Sequence, residues 1–486
     1  MISGQRVGQR AASVRASWLL LLSLVGGALI GVPANAWAHA RLRKSDPAAN
    51  ARIAVAPKMI RLWFTEAPEL SLTTVTLTSA DGVIVAVSAP ERDADGELAV
   101  RVAITGAMQP GHYTVKWRTA AADGHPSSGT FAFDVALPAT SATTRAQGFT
   151  PAAVRPSADS APVVAVPVSV RPAAEVAPDP DALTPAWVIA RAVSFVTLLA
   201  VLGAVAFRTV VLPRTAGLTP PERSAIASDT ARRAVMWSAT LLLAAGAKLY
   251  LQNRMMSGSA AADLAHMRSM SMETHWGAAW RLQFGAGGVA LLAFALAWRR
   301  VTGGWLLAAL ACVTLALSAA LAGHAGAATS ARTVAIADDT LHILGASAWL
   351  GSLFWMLAHV VRMHRTLDDG SAARVASLVT AFSPVALGSA ALVVLTGVVS
   401  AWLRLGSVPA LWSTSYGQVL LVKLLFLSGV TATGFYNWRF VQPSLGTNAA
   451  TVRLRRSATS ELVIGVVVLV VTAVLVAMPT PSLTLR

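Results

Sequence analysis

Asp123-Gly124-His125-Pro126 sets a carboxylate and an imidazole two residues apart in a turn, where both can converge on one ion. The same pattern also serves a plain hydrogen-bonded turn, so its meaning depends on what else reaches it. His39 is one candidate. It follows Ala36-Trp37-Ala38, a small-x-small pattern at the end of a short apolar run. Cleavage after Ala38 would give His39 a free α-amine beside its imidazole, and two nitrogens on one residue suit the tetragonal N/O ligation of Cu(II). Ala34-Asn35-Ala36 is a competing cleavage pattern that would leave Trp37 first. Glu66, just past an alternating apolar run, is a supporting carboxylate.

Three further groups lie downstream. His324 sits in Gly323-His324-Ala325-Gly326 at the end of an apolar span. Asp338 and Asp339 precede His342 by four and three residues, a helical spacing that puts either acid beside the imidazole. Ionisable groups inside a membrane are costly and are functional candidates by default, although each also suits a helix cap at an interface. His266, Met267, Met270 and Met272 form a short loop near Met255, Met256 and His275. Thioethers favour Cu(I), and they are also flexible fillers of apolar gaps.

The chain that must position these groups falls into four parts. Residues 1–38 read as a secretory signal, with Arg6, Arg10 and Arg15 ahead of an apolar stretch. Residues 39–136 alternate with period two. Ile60, Leu62 and Phe64 form one run, Val100, Val102 and Ile104 another, and Tyr113, Val115 and Trp117 a third; Ala80-Asp81-Gly82 and Pro110-Gly111 mark turns. This predicts an all-β Greek-key sandwich or barrel. Residues 137–182 recur in proline and read as a semi-extended tether.

Residues 183–486 hold eight apolar runs near 186–208, 232–252, 275–298, 302–323, 336–361, 379–403, 419–441 and 459–478. Each is long enough to span a bilayer, which predicts an all-α membrane bundle. A chain that is 55% hydrophobic and 13% charged is too apolar for a soluble enzyme. The net charge of +16 does not point to nucleic acid, because the arginines cluster between spans. Alternate connections hold Arg208, Arg214, Arg223, Arg232, Arg233, Arg299, Arg300, Arg362, Arg365, Arg374, Arg439, Arg453, Arg455 and Arg456, against Arg254, Arg268, Arg332, Arg404 and Arg486 on the other side. By the positive-inside rule the β-domain lies outside the membrane. Lys248 and Lys423 sit near outer ends of spans and read as snorkelling side chains. The single cysteine, Cys312, excludes a disulfide framework or a C-x-x-C site.

The β-region resembles the periplasmic copper-binding CopC family. His39, Ile60-Arg61-Leu62-Trp63-Phe64-Thr65-Glu66, Pro110-Gly111-His112-Tyr113-Thr114-Val115-Lys116-Trp117 and Asp123-Gly124-His125-Pro126 carry the resemblance. It implies an immunoglobulin-like fold, with Cu(II) held by His39, Asp123 and His125 and supported by Glu66. The membrane half resembles the CopD family through Gly323-His324-Ala325, His342, Trp349-Leu350-Gly351, Ser383-Pro384, Thr414-Ser415-Tyr416-Gly417 with Lys423, Asn437-Trp438-Arg439 and Glu461. Together they imply copper capture and transport across a bacterial inner membrane, in uptake, homeostasis or resistance. The chain would then bind Cu(II) in the β-domain and Cu(I) or Cu(II) in the bundle, without enzymatic activity, and periplasmic copper proteins are candidate partners. A copper-dependent membrane oxidase and a b-type haem electron carrier stay open as alternatives.

Overall fold

The structure is a computed structural model and describes residues 41–136, 184–257, 263–328, 331–365, 371–445, 447–478 and 480–481. The signal segment, His39 and the proline-rich tether lie outside the described residues.

Nine strands form the first unit: β1 (Leu42–Asp46), β2 (Arg52–Ile53), β3 (Met59–Phe64), β4 (Thr74–Ser79), β5 (Ile84–Val85), β6 (Glu91–Asp93), β7 (Gly96–Ala103), β8 (Gly111–Ala120) and β9 (Pro126–Val135). They make two sheets, in the orders β1-β3-β7-β6 and β2-β9-β8-β4-β5. All neighbours are antiparallel except β2 and β9. The alternation seen in the sequence is the reason for the sandwich. Ile60, Leu62 and Phe64 point inward from one sheet, and Tyr113, Val115 and Trp117 from the other. Phe64 meets Trp117 edge-on with ring centroids 5.2 Å apart. Gly129 lets β9 pass under that ring, since a Cβ there would lie 2.7 Å from Trp117 Cζ2.

The second unit is helical: α1 (Pro185–Ala206), α2 (Pro220–Ser257), α3 (Leu264–Glu273), α4 (His275–Trp298), α5 (Gly304–Leu321), α6 (Arg332–Ala346), α7 (Ser352–Arg365), α8 (Ser371–Leu405), α9 (Ser415–Tyr436) and α10 (Asn448–Leu475). A π-helical turn at Ser347–Gly351 joins α6 to α7. Among the described residues, eight helices are long and apolar enough to cross a membrane, and they overlap the eight runs read from the sequence. Local chemistry sets their starts. Pro185 opens α1, Asp263 accepts from the Ala265 and His266 amides, and Thr274, Thr414 and Thr447 cap α4, α9 and α10.

Small residues permit close packing between spans. Gly203 of α1 crosses the π-helical turn so closely that a Cβ would lie 2.5 Å from Gly351 Cα. Leu198, Val201 and Leu202 of α1 join Phe294, Cys312, Leu315 and Trp355 in one buried core. Deeper in the bundle, Glu461 accepts from Trp349 Nε1 at 3.3 Å and Asn437 Nδ2 at 3.2 Å.

The two units are docked. Leu72 and Ala120 of the sandwich pack with Met256, Met270 and Trp276 in a shared apolar cluster. Polar contacts ring it. Glu69 Oε1 accepts from the His275 amide at 2.8 Å and lies 2.9 Å from His275 Nδ1. Gln252 donates to the Gly124 carbonyl, and Arg118 to the Met255 carbonyl.

Candidate metal centre

The turn between β8 and β9 builds the first half of the site. The Ala121 amide donates to the His125 carbonyl at 3.0 Å, and the Gly124 amide to the Ala121 carbonyl at 2.8 Å. Asp123 Oδ1 accepts from the His125 amide at 3.1 Å, the self-bonding typical of aspartate in turns. Gly124 takes φ +83°, which favours glycine, and Trp276 covers it so tightly that a Cβ would fall 2.8 Å from Trp276 Cδ1. Asp123 and His125 are therefore fixed side by side at the foot of the sandwich, and both are buried.

The second half comes from the bundle. His324 opens a short helical turn directly after α5, and Gly326 is needed there because a Cβ would lie 2.0 Å from the Leu321 carbonyl oxygen. His324 Nδ1 lies 3.0 Å from Asp123 Oδ2, while His125 Nδ1 lies 2.9 Å from Asp123 Oδ1. One carboxylate thus joins two imidazoles whose rings stack 5.7 Å apart at 19°. Ligand atoms of Asp123, His125 and His324 all lie within 4.8 Å of one another. Two nitrogens and one carboxylate oxygen, with no thiolate, form a donor set for Cu(II) or Zn(II).

The surroundings keep the imidazole neutral. Burial pushes His125 below its ordinary value, against the opposing pull of Asp123. Glu66 is near enough to feel the Asp123 charge and is 4% exposed, and its Oε1 has no hydrogen-bond partner among the described residues. Burial and the nearby Asp123 charge push its carboxyl up to about 8.

The sequence candidates therefore separate. Asp123, His125 and Glu66 gather as a group, and His324 joins them instead of His342. His342 Nδ1 pairs with Thr396 Oγ1 at 2.9 Å. Its neighbouring acids turn elsewhere: Asp338 accepts from Ser400 at 2.6 Å, and Asp339 from Arg404 at 2.6 Å. In the methionine-rich segment, Met270 is buried in the docking seam, Met267 and His266 are half-buried, and Met272 is 59% exposed. Lys248 reaches Gln283 Oε1 at 3.4 Å.

One residue escaped the sequence reading. Arg191 of α1 is buried, stacks on Trp187 at 4.8 Å and places Nη2 3.2 Å from His125 Nε2. A charge inside the first apolar span was the available signal.

Comparison with known proteins matches three stretches of the chain. Residues 42–136 match the CopC domain, residues 181–334 the copper resistance protein D-like N-terminal domain, and residues 376–475 copper resistance protein D. The chain is 25% identical over 472 residues to the copper transport protein CutJ of Bacillus subtilis (strain 168), covering 96% of this chain and 78% of that one. Over 121 residues it is 31% identical to copper resistance protein C of Escherichia coli, covering 23% of this chain and 93% of the relative. Protein YobA of Escherichia coli (strain K12) is 32% identical over 104 residues, 21% of this chain and 84% of YobA. Asp123 and His125 fall in the first matched region and His324 in the second.

Proposed function

Since the chain belongs to the copper-resistance family that joins a CopC domain to a copper resistance protein D membrane region, we propose that it captures Cu(II) at the seam between them and carries copper across the bacterial inner membrane. The β-domain stands on the periplasmic side in this reading, in keeping with the arginine distribution along the chain. The observation that carries it is the approach of His324 to Asp123 and His125. A ligand from the membrane half completes a site begun by the β-domain, so copper held there already touches both units. Capture and hand-over then need no diffusion between separate proteins.

His39, freed by cleavage after Ala38, supplies an amine and an imidazole as the remaining ligands. Glu66 supports the site electrostatically, since a nearby divalent ion favours its ionised form. His342 and the segment His266, Met267, Met270 and Met272 serve later in the route, after the ion has left the seam. The protein acts as a carrier and not as an enzyme, and no bond other than metal–ligand bonds changes.

Copper content of cells tests this directly. Wild type, His125→Gln and His324→Gln are compared at matched membrane levels. Both variants should fall to the level of cells lacking the protein. Wild-type copper content in both would overturn the proposal.

A further inference from the structure

Arg191 lies directly against the proposed copper site, at His125. A guanidinium only donates hydrogen bonds, so the 3.2 Å contact from Nη2 makes His125 Nε2 the acceptor. The ring proton of a neutral His125 is then on Nδ1, facing Asp123 Oδ1 at 2.9 Å. A neutral imidazole has one ring lone pair, and Arg191 holds it. A metal ion on either nitrogen of His125 needs that same lone pair. If the ion binds Nε2, it displaces the guanidinium outright. If it binds Nδ1, the proton moves to Nε2, and two N–H groups then face each other.

Arg191 is also a poor neighbour for a divalent ion on charge alone. It is 8% exposed, stacked on Trp187, and its Nη1 has no hydrogen-bond partner among the described residues. Lys248, half-buried in α2 and near enough for its charge to act on Arg191, adds a second positive charge on the bundle side. In so dry a place, screening is weak and like charges repel strongly.

We propose that Arg191 is a displaceable cation at the metal site: it holds the lone pair of His125 that copper must take, and copper loading exchanges one for the other. Two consequences follow. Copper binds the docked chain more weakly than its donor set alone would allow, which favours release. Loading also breaks the contact between α1 and the turn of the sandwich, leaving the ion and His324 to join the two halves there. The inference rests on the seam site proposed above, and adds a residue that opposes binding.

The test uses the full-length protein in detergent, titrated with Cu(II) against a chromophoric chelator. Arg191→Met should tighten copper binding about tenfold or more, because a charge-assisted hydrogen bond no longer has to be given up. Arg191→Gln, also uncharged, provides a second variant should Met not fold. Arg191→Lys, which keeps the charge and a donor, should restore the weaker binding. A merely structural arginine would give the opposite sign, since its loss would disorder the site and weaken binding. Unchanged or weaker binding in the folded neutral variants overturns the inference. His324→Ala, titrated alongside, reads the seam site itself. If it weakens binding while Arg191→Met changes nothing, the site stands and the exchange falls. If it changes nothing while Arg191→Met tightens, the exchange stands on His125 alone and the three-residue seam site falls. If neither changes affinity, both fall.

Discussion

Two clusters in this molecule draw on the same side chains and arrive at opposite chemistry. At the seam, both oxygens of Asp123 face imidazoles, His125 at 2.9 Å and His324 at 3.0 Å. Inside the bundle, both oxygens of Asp339 take Arg404, at 2.6 and 2.7 Å, and Asp338 takes Ser400. A carboxylate shared by imidazoles can exchange protons for a metal ion. One whose two oxygens both accept from Arg404 Nη2 has already found its cation. The difference is which partner arrives from far along the chain, not local spacing. Asp338, Asp339 and His342 put three candidate groups within five residues, yet the pair Asp123 and His125, joined by His324, forms the candidate metal centre.

The largest break in this comparison is Asp123→Ala set against His342→Gln. The first removes a proposed ligand and the carboxylate that joins the two imidazoles. Cu(II) affinity of the full chain should fall about a thousandfold, or ~4 kcal/mol. His342→Gln should leave that affinity within about threefold. Competition titration and the electron paramagnetic resonance spectrum check both. Equal losses would mean that the bundle cluster takes part in capture.

Arg404→Met probes the other side of the comparison. It strands Asp339 in a partly buried place, and folded protein should lose about 3 kcal/mol, read as a lower unfolding temperature in detergent. Adding Asp339→Asn should recover most of the loss, because no unpaired charge is left. A stable Arg404→Met variant that binds copper at the bundle cluster would erase the distinction.

How far the sequence foretold this contrast depends on chain separation. Ile60, Leu62 and Phe64 reveal the sandwich because strand periodicity is local, and the eight apolar runs reveal the spans for the same reason. Asp123 and His125 were legible because one turn holds both. His324 was legible as a candidate but not as their partner, since 201 residues separate it from Asp123. Arg191 is 66 residues from His125, and Arg404 is 65 from Asp339. Only tertiary packing, of helix on helix or of sandwich on bundle, brings such groups together, and no periodicity records the meeting.

Glu66 sharpens the seam side by its charge state. Its folded pKa is raised from 4.5 to about 8, so between those values the folded chain keeps a proton that the unfolded chain has lost. Stability is therefore greatest at low pH and falls as pH rises through this window. Glu66→Gln cannot titrate. With a chelator present, it should exceed wild type only slightly at pH 5 and by about 2 kcal/mol at pH 9. Melting curves at both pH values decide the matter, and an advantage only at pH 5 would reverse the assignment.

The smallest effect comes from the turn glycine, and it separates docking from backbone strain. Gly124 and Gly82 both adopt positive φ, +83° and +78°. An alanine at either should cost about 1 kcal/mol for conformation alone. Their surroundings differ. A Cβ at Gly82 meets nothing within 4 Å, while one at Gly124 meets Trp276 at 2.8 Å, inside the seam. Gly124→Ala should therefore push the turn away from α4 and carry Asp123 and His125 away from His324. Copper affinity should fall about fivefold, equivalent to ~1 kcal/mol. Gly82→Ala should show the same loss of β-domain stability with copper affinity unchanged. If both variants lose affinity alike, strain within the sandwich governs the site. If only Gly124→Ala does, the fit of the sandwich against Trp276 sets how well the two halves share the ion.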